Sequence, residues 1–140
     1  MPESSKHMMF VDKLLEEAKK IIPQEYHVLI YTDKPESIQK PLRTKDGFVP
    51  DLFYSHNDLQ IIGEAKTADD VEREHSLSQY QSYFEEAIKF KGKSILIFAS
   101  PWFTKSTLKN IVRSLNKQFN VKIESHFLCE IGEAEIIWAI

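Results

Sequence analysis

Two short segments near the middle of the chain carry the residues best suited to chemistry. The first is Val49-Pro50-Asp51 and the second is Gly63-Glu64-Ala65-Lys66. Two carboxylates can hold a divalent cation that activates a water, and a lysine ammonium can stabilise the negative charge that develops on an ester. Together the segments predict metal-dependent hydrolysis, provided that they lie side by side.

A β-hairpin would bring the two segments together. β-rich runs at 51–55 and 59–66 flank a polar tetrad at 55–58, which is typical of a tight turn. If Asn57-Asp58 is a two-residue loop, Asp51 faces Glu64 with Cβ atoms about 4.5 to 5.5 Å apart, and Lys66 lies on the same face as Glu64. A slip of one residue would separate them. The structural alternative is a surface hairpin with a Glu–Lys pair and Asp51 capping a turn.

Composition limits the class of protein. The 140 residues suit a single domain, 1–140, with 42% hydrophobic and 28% charged residues. No apolar run approaches the roughly 20 residues of a membrane span, and the start of the chain does not resemble a secretory signal. Cys129 is the only cysteine, which favours a core role for it and a reducing cytoplasm for the protein. The net charge of -3 means that a nucleic acid would need a local basic surface.

Periodicity predicts the elements that must position the two segments. Helices are expected at 8–22, 70–90 and 104–119, and strands at 26–31, 51–55, 59–66, 94–99, 121–128 and 134–139. The uniformly apolar run 94–99 indicates a central strand buried on both faces. Residues 32–48 form a loop long enough to suggest function. The predicted order is αβββαβαββ.

Core residues follow from the same pattern. The second helix is expected to bury five apolar residues: Leu77, Tyr80, Phe84, Ala87 and Ile88. Trp102 and Phe103, after the central strand, are also expected to pack in the core.

The element order and three motifs resemble the PD-(D/E)XK nuclease superfamily. Pro50-Asp51 is similar to the first half of its signature and Glu64-Ala65-Lys66 to the second. Gln79-Tyr80-Gln81-Ser82-Tyr83 is similar to the Gln-x-x-x-Tyr motif of recombination-associated branches. The resemblance covers about 8–100. It implies an α/β restriction-endonuclease-like αβββαβ core, with a central mixed sheet flanked by helices and an additional C-terminal helix and strands.

The resemblance also implies an activity: magnesium-dependent hydrolysis of DNA, with manganese as a substitute, in repair, recombination or restriction. Asp51, Glu64 and the main-chain carbonyl of Ala65 would hold the cation. Lys66 would orient the water or stabilise the phosphoryl oxygens. On the first helix Glu17 is expected to join the metal site, since a helix-one acid often does so in this superfamily. Its alternative is a boundary glutamate whose stem covers the core.

The other expected DNA contacts are less specific. On the second helix Gln79 and Tyr83 would hold the DNA backbone or support Lys66. In the 32–48 loop Arg43 and Lys45 are expected phosphate contacts, more so than the basic residues of the third helix. The wider set of basic residues comprises Lys34, Lys40, Lys105, Lys109, Arg113 and Lys117. Solvated lysines are the alternative for each of them.

Two other functions remain open from the sequence. One is a catalytically inactive nuclease-fold subunit that acts in DNA binding or complex assembly, and the other is a protein-interaction domain. A chain this short has no room for a separate target-recognition domain, so a homodimer or a larger complex is attractive. The five histidines lack metal-ligand spacing, which disfavours zinc, and no glycine-rich phosphate loop is present.

Overall fold

The computed structural model describes residues 5–138, which form a six-stranded mixed sheet flanked by helices. The α-helices are α1 (Ser5–Ile21), α2 (Glu74–Lys89) and α3 (Lys105–Phe119). The strands are β1 (Tyr31–Thr32), β2 (Leu52–His56), β3 (Leu59–Ala65), β4 (Lys93–Ala99), β5 (Glu124–Leu128) and β6 (Glu135–Ile137). Short 3-10 helices span Gln24–Leu29, Ala68–Asp70 and Trp102–Thr104. The α/β class is confirmed, and the order of helices and strands is the predicted one except that the first strand is reduced to Tyr31–Thr32.

The strands lie in the sheet in chain order, from β1 at one edge to β6 at the other. The inner strands β3, β4 and β5 run parallel, whereas β1, β2 and β6 add antiparallel neighbours. Six of the seven residues of β4 are buried. This pattern confirms 94–99 as a central strand covered on both faces.

The hairpin register is the one predicted. The pairs run from Leu52 opposite Gly63 to His56 opposite Leu59, which leaves Asn57 and Asp58 as the loop. Asn57 has a φ of 53°, the positive value that such tight hairpin turns require and that asparagine tolerates well. Continuing the pairing by one residue puts Asp51 opposite Glu64.

The two faces of the sheet are covered by different helices. Residues Ile61 and Ala65 of β3 belong to the hydrophobic cluster that contains α1, whereas Ile62 belongs to the cluster with α2 and α3. Gly63 lies under α1, where an added Cβ would come 3.4 Å from a Leu14 methyl carbon. Since side chains alternate along a strand, Glu64 must face α2.

The segment 26–31 is not a strand, and that prediction is wrong. Residues 24–29 form a 3-10 helix in which nothing is buried, and only Tyr31 and Thr32 pair with β2. The side chain of His27 contacts the carbonyl oxygens of Lys19 and Ile22 at 3.1 and 2.8 Å. These contacts use carbonyls at the end of α1 and hold the following residues in a turn.

Several predicted core residues are exposed instead. Leu77 and Ile88 each keep 41% of their surface, and Trp102 and Phe103 keep 66% and 58%. The buried face of α2 is rotated toward Gln79 and Tyr83, so polar residues take up part of the interior that Leu77 and Ile88 were expected to fill. Cys129 is buried, as predicted.

Element boundaries differ by a few residues. The second helix begins at Glu74 because a 3-10 turn occupies Ala68–Asp70. The last two strands are shorter than expected, and residue 139 of the predicted final strand lies outside the described residues. No helix within residues 5–138 is long and apolar enough to cross a bilayer.

The join between the hairpin and β4 predicts a sensitive position. The amide of Lys93 donates to the carbonyl of Asp58 at 2.7 Å, and a Cβ on Gly92 would lie 2.1 Å from that oxygen. We expect Gly92→Ala to lower the free energy of unfolding by about 1 to 3 kcal/mol, since the backbone must shift. Urea unfolding would measure it against Lys91→Ala, an exposed neighbour. Equal stability of the two variants would contradict this close approach.

Candidate active site

Three predicted site residues meet where β2 begins and β3 ends. Asp51 directly precedes β2, Glu64 is the penultimate residue of β3, and Lys66 follows that strand. All three are buried, with 5 to 7% of their surface exposed. The hairpin register and strand alternation turn the two carboxylates toward α2. The structure therefore brings Asp51, Glu64 and Lys66 together.

Asp51 is fixed by two neighbours. Its Oδ2 accepts a hydrogen bond from the amide of Ala65 at 2.9 Å. The carboxylate thus serves as the acceptor for an amide at the end of β3, where the pairing with β2 stops. The same oxygen lies 3.4 Å from Nε2 of His7, in the first turns of α1. Asp51 is thus tied both to the end of β3 and to α1.

Glu64 and Lys66 are held by α2. The hydroxyl of Tyr83 donates to Oε1 of Glu64 at 2.7 Å, and Nζ of Lys66 lies 3.5 Å from Oε2. Lys66 also donates to the side-chain oxygen of Gln79 and lies 6.0 Å from the centre of the Tyr80 ring. Both residues of the Gln-x-x-x-Tyr motif thus contact the predicted catalytic residues directly.

Burial and Asp51 together disfavour the ionised form of Glu64. Burial raises the pKa of Glu64 well above its usual value, and the charge of Asp51 and a hydrogen bond between the two carboxyl groups raise it further. Lys66 and the Tyr83 hydroxyl oppose this rise but do not cancel it. Burial and the Glu64 charge also raise the pKa of Tyr83, which keeps its hydroxyl protonated as a donor. Burial and the neighbouring carboxylate thus favour the protonated form of Glu64, and a cation between the two carboxyl groups would favour the ionised form instead.

The cluster borders an open cleft of about 530 Å³ between α1 and the 3-10 turn after β3. Its lining residues are Lys6, His7, Glu64, Ala65, Lys66, Thr67, Asp69 and Asp70. Lys6 and Lys66 are cations that can attract an anionic group, while Asp69 and Asp70 limit where that group can lie. The cleft gives a substrate access to Glu64 and Lys66.

The donor set suits a small hard cation that retains water. Within residues 5–138 no group of three or more His, Cys, Asp or Glu side chains is arranged to hold a metal ion. Asp51 and Glu64 offer carboxylate oxygens, and Ala65 offers a main-chain carbonyl beside the same cleft. Magnesium is commonly held by one or two carboxylates with several waters, whereas zinc prefers nitrogen and sulfur ligands. The residues present therefore fit magnesium or manganese.

Glu17 is not brought to this cluster. It is buried on α1, on the other side of the sheet from α2, and its Oε2 lies 2.6 Å from Nδ1 of His126. Nε2 of His126 lies 2.6 Å from Glu124, which contacts Lys93 at 2.8 Å. Burial lowers the pKa of His126, but hydrogen bonds to Glu17 and Glu124 outweigh it and the net pKa is raised. Glu17 thus joins α1 to β5 through the imidazole of His126, whose charged form the two carboxylates favour.

The basic residues of the loop contact the loop itself, α1 or α2, and not the residues of the cluster. Arg43 donates to the carbonyl of Gly47 at 2.8 Å, and Nζ of Lys45 lies 3.0 Å from Glu85. Lys34 pairs with Asp12, and Lys40 lies 3.9 Å from Asp33. The loop itself is anchored to α2 by a 2.8 Å hydrogen bond from Ser82 to Thr44. These contacts favour a structural role for Lys45 and Lys34.

His7 is a site residue that the sequence analysis missed. It contacts Asp51 and lines the cleft, and it belongs to none of the three motifs. The helical spacing could have identified it, because His7 precedes Val11 by four residues and Leu14 by seven and so lies on the same helix face. A polar residue on the buried stripe of an amphipathic helix marks a position of this kind.

The raised pKa of Glu64 predicts how stability depends on pH in cation-free buffer. The native state binds this proton more tightly than the unfolded state, so the free energy of unfolding falls as pH rises from about 4.3, the usual glutamate pKa, through the higher native value. We expect Glu64→Gln to remove this part of the fall, because glutamine cannot ionise. Urea unfolding at a series of pH values would measure it, with exposed Glu72→Gln as the control. An equally steep fall in Glu64→Gln would contradict the raised pKa.

The position of Glu17 predicts a structural effect and not a catalytic one. We expect Glu17→Gln to lower the free energy of unfolding by about 1.5 to 3 kcal/mol, since it removes a hydrogen bond between charged groups. The effect should be present below the raised pKa of His126 and fade above it. Exposed Glu16→Gln is the matched control. Loss of manganese binding in Glu17→Gln at unchanged stability would instead make Glu17 a ligand.

Comparison of the chain with protein-family models, curated proteins and solved structures found no match.

Proposed function

We propose that this protein is a metal-dependent deoxyribonuclease of the PD-(D/E)XK type with a restriction-endonuclease-like fold. The observation that carries the proposal is the facing pair Asp51 and Glu64, buried together with Lys66 beside an open cleft. Two carboxyl groups in contact and out of water destabilise each other's ionised form. A cation bound between the two carboxyl groups would relieve this repulsion, which is why the pair favours cation binding.

The cation would bind between the two carboxylates and the Ala65 carbonyl. Bound there, magnesium would neutralise charge on a phosphodiester and lower the pKa of a water. Ala65 is well placed for this because its amide is held by Asp51 at 2.9 Å, which fixes the peptide at the end of β3. The short alanine side chain faces the α1 core and leaves the cleft open.

Lys66 would act on the phosphoryl group or on the attacking water. Its ammonium lies 3.5 Å from Glu64 and donates to Gln79, so its position is set from two sides. A positioned cation of this kind stabilises charge that develops in the transition state. Gln79 and Tyr83 then act as positioning residues for Lys66 and Glu64, which is the second of the two roles expected for them.

The same contacts favour a second candidate, a nuclease-fold subunit without activity. Each of the buried polar groups Asp51, Glu64 and Lys66 already has partners, which is also what a purely structural polar cluster would show. Such a subunit would bind DNA or assemble with a partner that performs the chemistry. Magnesium calorimetry separates the two candidates, because the inactive subunit would bind no cation at millimolar concentration.

The finer attributes belong to the same proposal. DNA as substrate and a role in repair, recombination or restriction are supported by the motif resemblance, and a cytoplasmic location is supported by the low cysteine content. Assembly into a homodimer or larger complex is part of the same proposal. The cleft adds only that the scissile phosphate would approach between Lys6 and Lys66.

Cleavage of DNA by a pair of matched variants tests the proposal. We expect Asp51→Asn to reduce nicking of supercoiled plasmid in magnesium or manganese by about a thousandfold, equivalent to several kcal/mol of transition-state stabilisation. An asparagine oxygen can still accept the Ala65 amide, so the domain should remain folded. Asp58→Asn, at the exposed hairpin turn, is the control and should cleave normally.

Two results would contradict the proposal. One is unchanged nicking by Asp51→Asn, which would trace the activity to another residue or to a contaminant. The other is the absence of nicking by the unmodified protein with either metal on supercoiled, linear and single-stranded DNA.

A further inference from the structure

A second pocket lies at the opposite end of the molecule from Glu64. It has a volume of about 460 Å³ and lies between the C-terminal end of α3, the connection to β5 and Trp138. Lys122 is at the level where β4 and β5 begin, whereas Ala65 is at the carboxyl end of β3. Six residues of strand at about 3.3 Å each separate the two levels by about 20 Å. The pocket is therefore distinct from the candidate active site.

Three cations converge on this pocket. Arg113, Lys117 and Lys122 all line it, and all three are exposed. Among residues 5–138 none of them forms an ion pair within 4.0 Å. Arg113 is attracted at longer range to Glu135, which Lys105 and Lys109 already contact. Three cations with so little compensation favour an anionic ligand.

The end of α3 does not cancel this attraction. A helix C-terminus carries partial negative charge on its last carbonyls, which would repel an anion. Here Asn120, in a left-handed conformation with a φ of 54°, donates its amide to Asn116 and Lys117, and the Val121 amide donates to Asn116 at 2.9 Å. Capping by these amides reduces the exposed negative charge, so the three side-chain cations dominate the pocket.

Trp138 adds an aromatic surface to the same pocket. Its indole lines the pocket, keeps 37% of its surface exposed and lies 5.3 Å from the ammonium of Lys122. Its backbone φ is 63°, a left-handed value that is uncommon for any residue with a large side chain. Strained residues persist where the surrounding structure holds them, and they concentrate at functional positions.

We propose that this pocket binds one nucleotide unit, with its base stacked on Trp138 and its phosphate held by Arg113, Lys117 and Lys122. A nucleotide combines a flat ring with an adjacent anion, which is the combination that the pocket complements. A carboxylate-rich peptide would use the cations but not the indole. The volume lies within the usual range for small-ligand pockets. The nucleotide unit comes either from a single-stranded nucleic acid or from a free nucleotide.

This inference goes beyond the proposed nuclease activity and does not depend on it. Binding at the Trp138 pocket requires neither a divalent cation nor Asp51, so it can be measured in a chelating buffer where no cleavage occurs. A failure of either proposal would leave the other standing.

Tryptophan fluorescence gives a direct test. The chain has two tryptophans, and Trp102→Phe leaves Trp138 as the reporter. The probes are oligothymidylate, thymidine monophosphate and inorganic phosphate, each added in chelating buffer. We expect saturable quenching by oligothymidylate or by the mononucleotide, and none by phosphate. Tighter binding of the oligonucleotide identifies a nucleic acid strand as the source, and equal affinity identifies a free nucleotide.

Charge variants test the phosphate contacts in the same background. We expect Lys117→Gln and Lys122→Gln each to weaken oligothymidylate binding and to reduce the slope of log affinity against log salt by about 0.7. Lys89→Gln, an exposed cation on α2, is the matched control and should bind normally. Trp138→Leu, followed by fluorescence anisotropy of a labelled oligonucleotide, should bind about tenfold more weakly, as expected for a lost stacking platform.

Three outcomes would overturn the nucleotide pocket. They are no saturable quenching by either nucleotide probe at millimolar concentration, quenching by phosphate as strong as by the nucleotides, and oligonucleotide affinity unchanged by both lysine substitutions. If Trp138→Leu fails to fold by circular dichroism, the lysine variants decide the result, because their substitutions lie on the surface.

Discussion

The mutual repulsion of Asp51 and Glu64 is the interaction that sets the chemistry proposed for this site. Two carboxyl groups lie in contact within a buried site, and their combined charge cannot be accommodated there without a proton or a cation. Lys66 supplies one compensating charge, with its Nζ 3.5 Å from Oε2 of Glu64. The same ammonium also donates a hydrogen bond to Gln79. When both carboxyl groups are ionised and no cation is bound, their repulsion lowers the free energy of unfolding. A cation that binds the native state between them would raise it again.

The surrounding fold keeps this unfavourable pair in place. The hairpin register sets Asp51 opposite Glu64, and the Ala65 amide ties the Asp51 carboxylate to the end of β3. Above the sheet Tyr83 holds Glu64, while Gly63 allows α1 to pack closely on the other face. The ion pair of Glu17 with His126 fastens α1 to β5, so the helix that carries His7 is anchored independently of the site.

The parts of the structure that could be predicted from sequence are those set by local patterns. The turn residues Asn57 and Asp58 determined the hairpin register, and register alone placed Asp51, Glu64 and Lys66 together. The contacts of Glu17 could not be predicted, because its partner His126 is more than a hundred residues away in sequence. The strand predicted over 26–31 was wrong for a related reason, since residues 24–29 form a 3-10 helix despite their β propensity and His27 contacts the Ile22 carbonyl just beyond α1. The position of Glu17 and the conformation of 26–31 both involve contacts with residues outside the local sequence pattern.

The anomalous signal of a crystal soaked in manganese is the direct test of cation binding between Asp51 and Glu64. We expect a peak between Asp51 and Glu64, with carboxylate oxygens about 2.0 to 2.2 Å from the ion, as in other hard-cation sites. The peak should be absent from crystals of Asp51→Asn. A fully occupied manganese elsewhere, with no peak between the two carboxyl groups, would contradict cation binding at this site.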